Sequence, residues 1–414
     1  MLELCSKRYK DIQMESAVIV STTRSPIGRA FKGSMIGVRP DDLMAFYIRD
    51  VMDKIHLDPD SIDDIIIGCG LPGGEQGYNI ARVATLLAGL KNTSATTVNR
   101  YCASSLQAIA IAAGNIAAGF GDTYISGGVE CTSRFLMGTS DSLPNTMNPK
   151  FDEAQKRVLS NSALQGYVWS DTEGLPDIYI TMGLTSENVA DQFGITRQEM
   201  DQYAFESQQK TASAIERGFY KEEITPYILD ENTIISIDDC PRPSTTLEGL
   251  AELKSAFRSD GRVTPGNACP LNDGAAAVVV MSESKAIQLG LEPLARIVGA
   301  SSTGLNPEIM GLGPIEAVKK VLAQTKLKID DIDIVELNEA FAAQVIPCMR
   351  ELNIDREKLN VNGGAIALGH PFGSTGARIM TTLIHNMNES DARYGLETMC
   401  VGGGQGMAMI IEKF

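Results

Sequence analysis

Apolar and polar positions follow two patterns along the chain. Some apolar runs are short, continuous and end at glycine or a polar turn residue, which predicts buried strands. Residues 106–118 instead repeat Ala and Ile with helical spacing and stop before Gly119 and Gly121, which predicts a buried helix. The runs predicted as strands are residues 17–21, 65–68, 275–281 and 332–337. The alternation of strands and helices predicts an α/β fold in which helices pack against sheet.

The chain also contains a weak internal repeat. An acidic pair followed by isoleucines occurs twice, each time with Val-Asn some thirty residues later and then a strand end of small residues. The paired strings are residues 63–67 with 330–334, Val98-Asn99 with Val361-Asn362, and residues 124–128 with 399–403. We interpret the two halves as copies of one α/β unit.

Between the copies, residues from about 131 to 258 are polar and irregular. Helical stretches at 185–193 and 198–218 are separated there by loops rich in Pro, Asn and Asp. We interpret this segment as an insertion between the last strands of the first copy. It contains Trp169, the only tryptophan, and we expect aromatic packing to anchor its loop.

Composition excludes several classes of protein. The chain has 36 Lys+Arg and 52 Asp+Glu, a net charge of −16, which argues against a nucleic-acid or anionic-membrane partner. No apolar run reaches the roughly 18 residues of a membrane span, and the N-terminus has no apolar segment typical of a secretory signal. The eight cysteines are scattered and the three histidines lie far apart. We therefore predict reduced thiols, a cytoplasmic protein and no metal site.

Two positions combine a reactive side chain with a turn. Cys102 comes just before the predicted helix 106–118, where the positive end of the helix dipole is expected to lower the pKa of a thiol. His370 lies in a glycine-rich stretch, 362–378, that permits close approach by a ligand, and histidine is the usual base for a thiol. The alternatives are a buried structural cysteine and a histidine that packs in a turn.

Two further candidates lie at strand ends. Cys400 precedes the glycines of residues 402–404, whose backbone amides could contribute to an oxyanion hole; close packing of small residues is the alternative. Asn338 and Glu339 follow the predicted strand 332–337, where open α/β sheets hold ligands, although they could equally cap a helix.

A string at residues 68–73 matches the G-x-G-x-x-G dinucleotide fingerprint after a strand. Pro72 and Gly74 delay the helix, and no acidic residue follows at the expected distance. We therefore reject a dinucleotide site.

Taken together, these strings resemble the thiolase family over nearly the whole chain. The matching strings, in the family's order, are residues 24–28, the Cys102 segment, 182–190, 266–268 with 272–276, 338–342, 369–371 with the glycines that follow, and 400–402. The resemblance implies a thiolase-like α/β fold, with two similar halves packed as a five-layered αβαβα core and a loop domain inserted in the first half. It implies an N-terminal domain at 17–285, with the insertion at about 131–258, and a C-terminal domain at 292–414.

The resemblance also implies roles for individual residues. Cys102 would be the nucleophile that becomes acylated, His370 the base that activates it and part of an oxyanion hole, and Cys400 the second acid/base. Asn338 would orient a water in the first oxyanion hole, and the amides of Gly402 and Cys102 would form the second. The residues expected to contact coenzyme A are Arg242, Met182, Ala268, Cys269 and Phe341. No metal or permanently bound cofactor is implied, because coenzyme A is a substrate.

The activity that the resemblance implies is coenzyme A-dependent cleavage of 3-ketoacyl-CoA to acetyl-CoA and a shortened acyl-CoA, and the reverse Claisen condensation. This is an acyltransferase of fatty-acid beta-oxidation, expected as a homodimer or homotetramer. Thr181 stands where acetoacetyl-specific members carry histidine, which favours the broad-range type. The alternatives are an acetyl-CoA acetyltransferase specific for acetoacetyl-CoA and a non-catalytic acyl-CoA or lipid-binding protein. Two departures from the family are Ser105, where glycine is common, and Cys269, where serine is common.

Because coenzyme A is strongly anionic, a chain of net charge −16 must bind it through a local basic patch. The residues hypothesised to form that patch are Arg242, Lys254, Arg258 and Arg262.

Overall fold

The structure is a computed structural model, and it describes residues 15–135 and 146–414. The strands are β1 (Ala17–Arg24), β2 (Gly28–Arg29), β3 (Asp64–Gly68), β4 (Ser94–Val98), β5 (Thr123–Cys131), β6 (Tyr227–Asp230), β7 (Thr233–Ile235), β8 (Asn272–Ser282), β9 (Ala295–Gly304), β10 (Ile334–Leu337), β11 (Tyr394–Val401) and β12 (Gln405–Lys413). The α-helices are α1 (Pro40–Asp53), α2 (Ile80–Leu87), α3 (Ser104–Ala117), α4 (Asp152–Ser162), α5 (Met182–Gln192), α6 (Arg197–Arg217), α7 (Phe219–Glu223), α8 (Leu247–Ala251), α9 (Glu283–Leu289), α10 (Gly313–Thr325), α11 (Ala342–Glu351), α12 (Ala365–Leu368) and α13 (Thr375–Ser390).

The predicted strands and central helix are present. β1, β3, β8 and α3 confirm the patterns at 17–21, 65–68, 275–281 and 106–118. The fourth predicted strand starts two residues late, at Ile334, because Ile332 closes a short 3-10 turn (Ile329–Asp331).

The strands form one mixed sheet in the order β4-β3-β5-β8-β1-β9-β12-β11-β10, with β2 pairing β8. In the first half β3 and β5 are parallel, and β8 is antiparallel to β5. In the second half β10 and β11 are parallel, and β12 is antiparallel to β11. The halves meet where β1 pairs with β9 over two residue pairs. The same order of parallel and antiparallel neighbours therefore occurs twice.

One hydrogen-bonding position defines how the two copies align. Asp63 accepts hydrogen bonds from two consecutive backbone amides at the start of β5, at 2.7 and 2.9 Å. Asp333 accepts two from the start of β11, both at 2.9 Å. Asp63 thus corresponds to Asp333. The predicted alignment of 63–67 with 330–334 is wrong by three residues, because it matched acidic letters rather than equivalent backbone positions.

Three apolar clusters produce the layers. The first joins α1 and α2 to one face of the first half, with Val18 and Ile65 among its members. The second holds α3 and α13 between the inner faces of both halves and contains Ile19 and Ile66. The third packs α10 and α11 against the outer face of the second half. Neighbours such as Val18 and Ile19 enter different clusters because strand side chains alternate in direction. The five layers are therefore α1 and α2, the first half of the sheet, α3 and α13, the second half of the sheet, and α10 and α11. This is the order expected for a thiolase-like fold.

The insertion separates two strands that are neighbours in the sheet. β5 and β8 pair antiparallel, and the chain between them runs from 132 to 271. It contains α4 to α8 and the hairpin of β6 and β7. The predicted helices at 185–193 and 198–218 are α5 and α6, and α6 ends at Gly218 with φ 83°. The chain between β5 and β8 continues past residue 258, the limit expected from the sequence, to residue 271. Several residues between 264 and 271 line the two pockets described below.

A buried carboxylate holds the insertion on the second half. Glu308 accepts hydrogen bonds from Trp169 Nε1 at 2.8 Å, from the Arg157 guanidinium at 2.8 Å and from the Asp177 amide at 2.9 Å. Trp169 is therefore anchored by its indole N–H, whereas the sequence led us to expect aromatic packing.

None of the helices in the described ranges combines the length and apolar character needed to cross a bilayer.

Candidate active site

The first turns of the two central helices, α3 and α13, lie against each other, and a candidate catalytic side chain precedes each helix. Cys102 lies in the 3-10 turn that leads into α3, and His370 lies just before the turn that leads into α13. α3 belongs to the first half, whereas α13 belongs to the second. Cys102 and His370 line one cavity, so the fold brings together two residues that are far apart in sequence.

The first turns of α3 and α13 touch through small residues. A Cβ on Gly376 would collide with the backbone of Leu106, so only glycine permits this crossing. Ser105 Oγ accepts a hydrogen bond from the Ala377 amide at 2.9 Å. The serine that departs from the family pattern therefore satisfies one of the free amides at the start of α13.

The Cys102 side chain is half-buried in the wall of the cavity. Burial raises its pKa to about 11, while hydrogen bonds from the amides of Gly402 and of Cys102 itself oppose that rise. The expectation that the helix end would lower this pKa is wrong, because desolvation of the thiolate outweighs it. The thiol is accordingly neutral at pH 7 before substrate binds. The same two amides are those predicted for the second oxyanion hole.

Both ring nitrogens of His370 have partners. Nδ1 lies 2.6 Å from Thr375 Oγ1, and Nε2 lies 3.3 Å from Asn338 Nδ2. The backbone amide of His370 donates to Asn272 Oδ1 at 2.8 Å, which fixes the loop. Burial, and then the nearby Arg378 charge, lowers the pKa of His370 to about 3. The imidazole is therefore neutral near pH 7.

Cys400 ends β11 and is fully buried. Burial raises its pKa well above the usual value. β11 packs against the 3-10 turn that holds Cys102, so the two cysteines belong to neighbouring elements. The turn after β11 contains Gly403 and Gly404, with φ of 73° and 76°. Gly403 lies against Ile178, so the insertion covers this turn.

Cys102 and His370 line a mainly apolar cavity of about 370 Å³, whereas Asn338 and Cys400 are buried and are not among its lining residues. Four of the five residues predicted to contact coenzyme A line it: Met182, Ala268, Cys269 and Phe341. Ala268 and Phe341 form an isolated antiparallel bridge, and the Cys269 amide donates to the Ala340 carbonyl at 3.0 Å. The wall thus joins the end of the insertion to the start of α11.

A second pocket of about 290 Å³ shares Pro265, Cys269 and Leu271 with this cavity. Three cations line it: Arg29, Lys32 and the predicted Arg242. The sequence reasoning missed Arg29 and Lys32, because they come from the start of the chain; only their position just after the matching string 24–28 hinted at them. The two pockets therefore adjoin each other, with the three cations lining one and Cys102 lining the other.

The hypothesised basic cluster is not a single patch. Arg258 and Arg262 both form ion pairs with Asp191, and Arg258 is buried. Lys254 is exposed and lines neither pocket. Of those four residues, only Arg242 faces the charged pocket. The hypothesis is wrong for Arg258 and Arg262, because both already pair with Asp191, and Arg258 also pairs with Asp260.

Asn338 and Glu339, which the sequence analysis grouped as one candidate, make contacts with different parts of the structure. Asn338 contacts His370, whereas Glu339 accepts hydrogen bonds from Tyr203 at 2.9 Å and Ser207 at 2.7 Å of α6. Glu339 therefore fastens the insertion to the end of β10 and lies outside the cavity lining.

A buried carboxylate that no motif indicated supports the histidine loop. Glu130 accepts hydrogen bonds from the amides of Gly70 at 2.8 Å and Gly373 at 2.9 Å, and from Gln76 Nε2 at 2.7 Å. The glycine string rejected as a dinucleotide site thus packs beneath the nucleophile, where Gly68 touches the backbone of Ser104. Across 15–135 and 146–414, no group of His, Cys, Asp or Glu is arranged to hold a metal ion.

Comparison with known proteins gives a consistent result. A family model for the N-terminal domain of thiolase matches residues 17–284, and one for the C-terminal domain matches residues 291–413. A beta-ketoadipyl-CoA thiolase of Acinetobacter baylyi is 43% identical over 410 residues, which are 97% of this chain and 100% of the relative. A 3-ketoacyl-CoA thiolase of Bacillus subtilis is 43% identical over 412 residues, 96% of this chain and 100% of the relative.

Among solved structures, the acetyl-CoA acetyltransferase of Bacillus anthracis superposes with a TM-score of 0.85 at 37% identity, covering 97% of this chain and 99% of that one. The duplicated α/β fold and these matches define an acyltransferase with a thiolase-like fold. The chain belongs to the thiolase family.

Proposed function

We propose that this thiolase cleaves 3-ketoacyl-CoA with coenzyme A, forming acetyl-CoA and a shortened acyl-CoA, and that it runs the reverse condensation through the same acyl-enzyme on Cys102. The observation that carries the proposal is that Cys102 and His370 line one apolar cavity next to a cationic pocket. Asn338 contacts His370, and β11, which contains Cys400, packs against the turn that holds Cys102. A pure binding protein has no need of two thiols and a neutral imidazole in one place.

The first half-reaction uses these groups in turn. The Cys102 sulfur attacks the ketone carbon while its proton passes to His370 Nε2, so no free thiolate has to accumulate at pH 7. The amides of Cys102 and Gly402 stabilise the ketone oxygen as it becomes negative. The bond between C2 and C3 then breaks, and its electrons form the enolate of the departing thioester. Cys400 donates a proton to C2, and acetyl-CoA leaves.

His370 and Asn338 face the thioester oxygen of that enolate. The imidazolium proton and the Asn338 amide can both donate to it, which lowers the energy of the enolate. Asn338 Oδ1 is buried and, within the described residues, has no hydrogen-bond partner, so the amide can also hold the predicted water. The role of Asn338 in that water site stays a prediction.

The second half-reaction reverses the order of groups. Coenzyme A gives its thiol proton to the Cys400 thiolate, and its sulfur attacks the acyl carbon on Cys102. The acyl group leaves on coenzyme A, and the Cys102 sulfur recovers a proton from His370. The enzyme therefore returns to its starting protonation state, and the kinetics are ping-pong.

The cationic pocket is proposed to bind the phosphates of coenzyme A. Replacement of Arg242 with glutamate should raise KM for coenzyme A about tenfold and leave kcat nearly unchanged, since the change is remote from Cys102. Lys254→Glu is the matched control, because it makes the same charge change outside both pockets. An unchanged KM in Arg242→Glu would remove Arg242 from the proposal.

The substrate range is tested by thiolysis assays on 3-ketoacyl-CoA substrates from C4 to C16, with both products identified by mass spectrometry. Activity over several chain lengths supports the broad-range enzyme of fatty-acid beta-oxidation. Activity confined to C4 would favour an acetyl-CoA acetyltransferase specific for acetoacetyl-CoA; the similar Bacillus anthracis structure is named an acetyl-CoA acetyltransferase. Binding without turnover would favour a non-catalytic acyl-CoA binder.

Assembly, domain limits and location are part of the same proposal. We propose domains at 17–285 and 292–414, a cytoplasmic location, and a homodimer or homotetramer. β4 is the outer strand of the sheet and its residues are partly exposed, so its free edge supports pairing with a second copy. Sedimentation that gave a monomer of 44.5 kDa would reject the assembly.

A further inference from the structure

The hydrogen bonds of His370 distinguish its two ring nitrogens. Thr375 Oγ1 lies 2.6 Å from Nδ1 and 2.9 Å from the carbonyl oxygen of Pro371. All of these groups are buried, so the hydroxyl has no bulk solvent with which to exchange partners. Thr375 is the first residue of α13, which keeps its side chain next to the imidazole.

A hydroxyl has one hydrogen to donate, whereas a carbonyl oxygen can only accept. If the Thr375 hydroxyl donates to Pro371, it can only accept at its other contact, and His370 Nδ1 must carry the proton. Nε2 then holds the lone pair, which suits the donor that it faces, the Asn338 amide. This arrangement satisfies every polar contact of the ring without a clash of two hydrogens.

We propose that Thr375 is a positioning residue that keeps His370 in the tautomer protonated on Nδ1, and so leaves Nε2 free to take the proton of Cys102. The inference rests on the proposed function, in which His370 is the base. A neutral imidazole can hold its proton on either nitrogen, and only one choice presents a basic atom to the thiol. Thr375 acts through His370 and touches neither sulfur nor substrate in this scheme.

The kinetic test compares two substitutions at Thr375 with a matched control. Thr375→Val keeps the shape of the side chain and removes the hydroxyl, so kcat should fall about 10- to 100-fold with KM changed by less than about threefold. Thr375→Ser restores the hydroxyl and should recover most of kcat. The control is Thr381→Val, which removes another buried α13 hydroxyl bonded to a backbone carbonyl, at 2.9 Å from Ala377, without contact to His370.

The tautomer itself is tested by 15N NMR of the enzyme labelled at histidine. The chain has only three histidines, and His56→Gln and His385→Gln variants assign the other two signals. We expect the wild-type His370 proton on Nδ1, and an increased share on Nε2 in Thr375→Val.

The outcomes separate the inference from the function on which it rests. A wild-type ring protonated on Nε2, or a Thr375→Val enzyme with normal kcat, overturns the role of Thr375 and leaves the thiolase proposal intact. An equal fall of kcat in Thr375→Val and Thr381→Val reduces Thr375 to a packing role and overturns the inference. Full activity in His370→Asn, in contrast, would overturn the proposed mechanism itself.

Discussion

The two halves of this thiolase present the same strand ends, but the side chains there do different work. In the first half, β3 ends at Gly68 against the start of α3, and Glu130 near the end of β5 binds backbone amides of two loops. In the second half, β10 leads to Asn338, which contacts His370, and β11 contains Cys400 and packs against the turn of Cys102. The two halves thus have equivalent backbones, and in the proposed mechanism only the second uses its strand ends for chemistry.

The two central helices, α3 and α13, also divide the candidate residues between the two halves. The first half contributes Cys102 before α3, and the second contributes His370 before α13. In the proposed mechanism, therefore, neither half holds both the nucleophile and the base. The site therefore depends on the close packing of α3 on α13, where glycine and serine allow the first turns to touch.

The largest effect is expected at the nucleophile of the first half. Replacing Cys102 with alanine should lower turnover about 10⁴-fold or more, because no acyl-enzyme can form. Steady-state thiolysis measures this, and the absence of iodoacetamide labelling at residue 102 accompanies it. Cys348→Ala is the control, since Cys348 is buried in the third apolar cluster. Cys240 would be a poor control, because Asn272 contacts both Cys240 and the His370 amide.

The next effect concerns the acid/base of the second half. Cys400→Ala should lower turnover about 10²- to 10⁴-fold, since the enolate carbon loses its proton donor. The Cys102 thiol and His370 remain, so iodoacetamide should still label Cys102 in this variant. Wild-type turnover in Cys400→Ala would mean that the two strand ends do not differ in function.

Glu130 tests whether the first half's strand end is structural. Glu130→Ala leaves buried amides without an acceptor, so we expect the free energy of unfolding to fall by about 1–3 kcal/mol. Turnover below the unfolding range should change less than about tenfold. A Cys400-like loss of turnover, with stability unchanged, would give this strand end a catalytic role.

Glu130 also has a pH signature. Burial raises the pKa of its carboxyl to about 7, above the ordinary 4.5, so between these values the folded chain holds a proton that the unfolded chain has lost. Its contribution to the stability is therefore fully present below pH 4.5 and is lost as the pH rises through 7. Denaturant titrations of wild type and Glu130→Ala across this range should converge toward high pH. Parallel curves would contradict the shifted pKa.

The smallest effect is expected where the halves are equivalent. Asp63→Ala and Asp333→Ala each remove a carboxylate that accepts two amides at the start of a strand. Each should cost about 0.5–1.5 kcal/mol of unfolding free energy and leave turnover unchanged. A large difference between the two variants would show that the duplicated positions are no longer equivalent.

The sequence was informative wherever a short local pattern has one structural solution. The apolar runs located β1, β3 and β8, and the helical spacing at 106–118 located α3. The strings around Cys102 and His370 indicated two residues of the cavity lining, because each places a reactive side chain in a turn before a helix. The predicted alignment of the two copies was wrong by three residues. Several acidic residues are neighbours in the second copy, and the sequence alone does not show that Asp333 is the one that binds the amides at the start of β11.

By itself, then, the sequence determined the fold class, the family and the candidates for nucleophile, base and second acid. Only the tertiary structure decided which basic residues line a pocket beside Cys102, that Arg258 and Arg262 pair with carboxylates inside the insertion, and that burial raises the pKa of Cys102. It also decided that Glu130 and Thr375 support the histidine loop. The physical reason is that burial and pairing depend on residues distant in sequence, whereas strand and helix patterns depend on near neighbours.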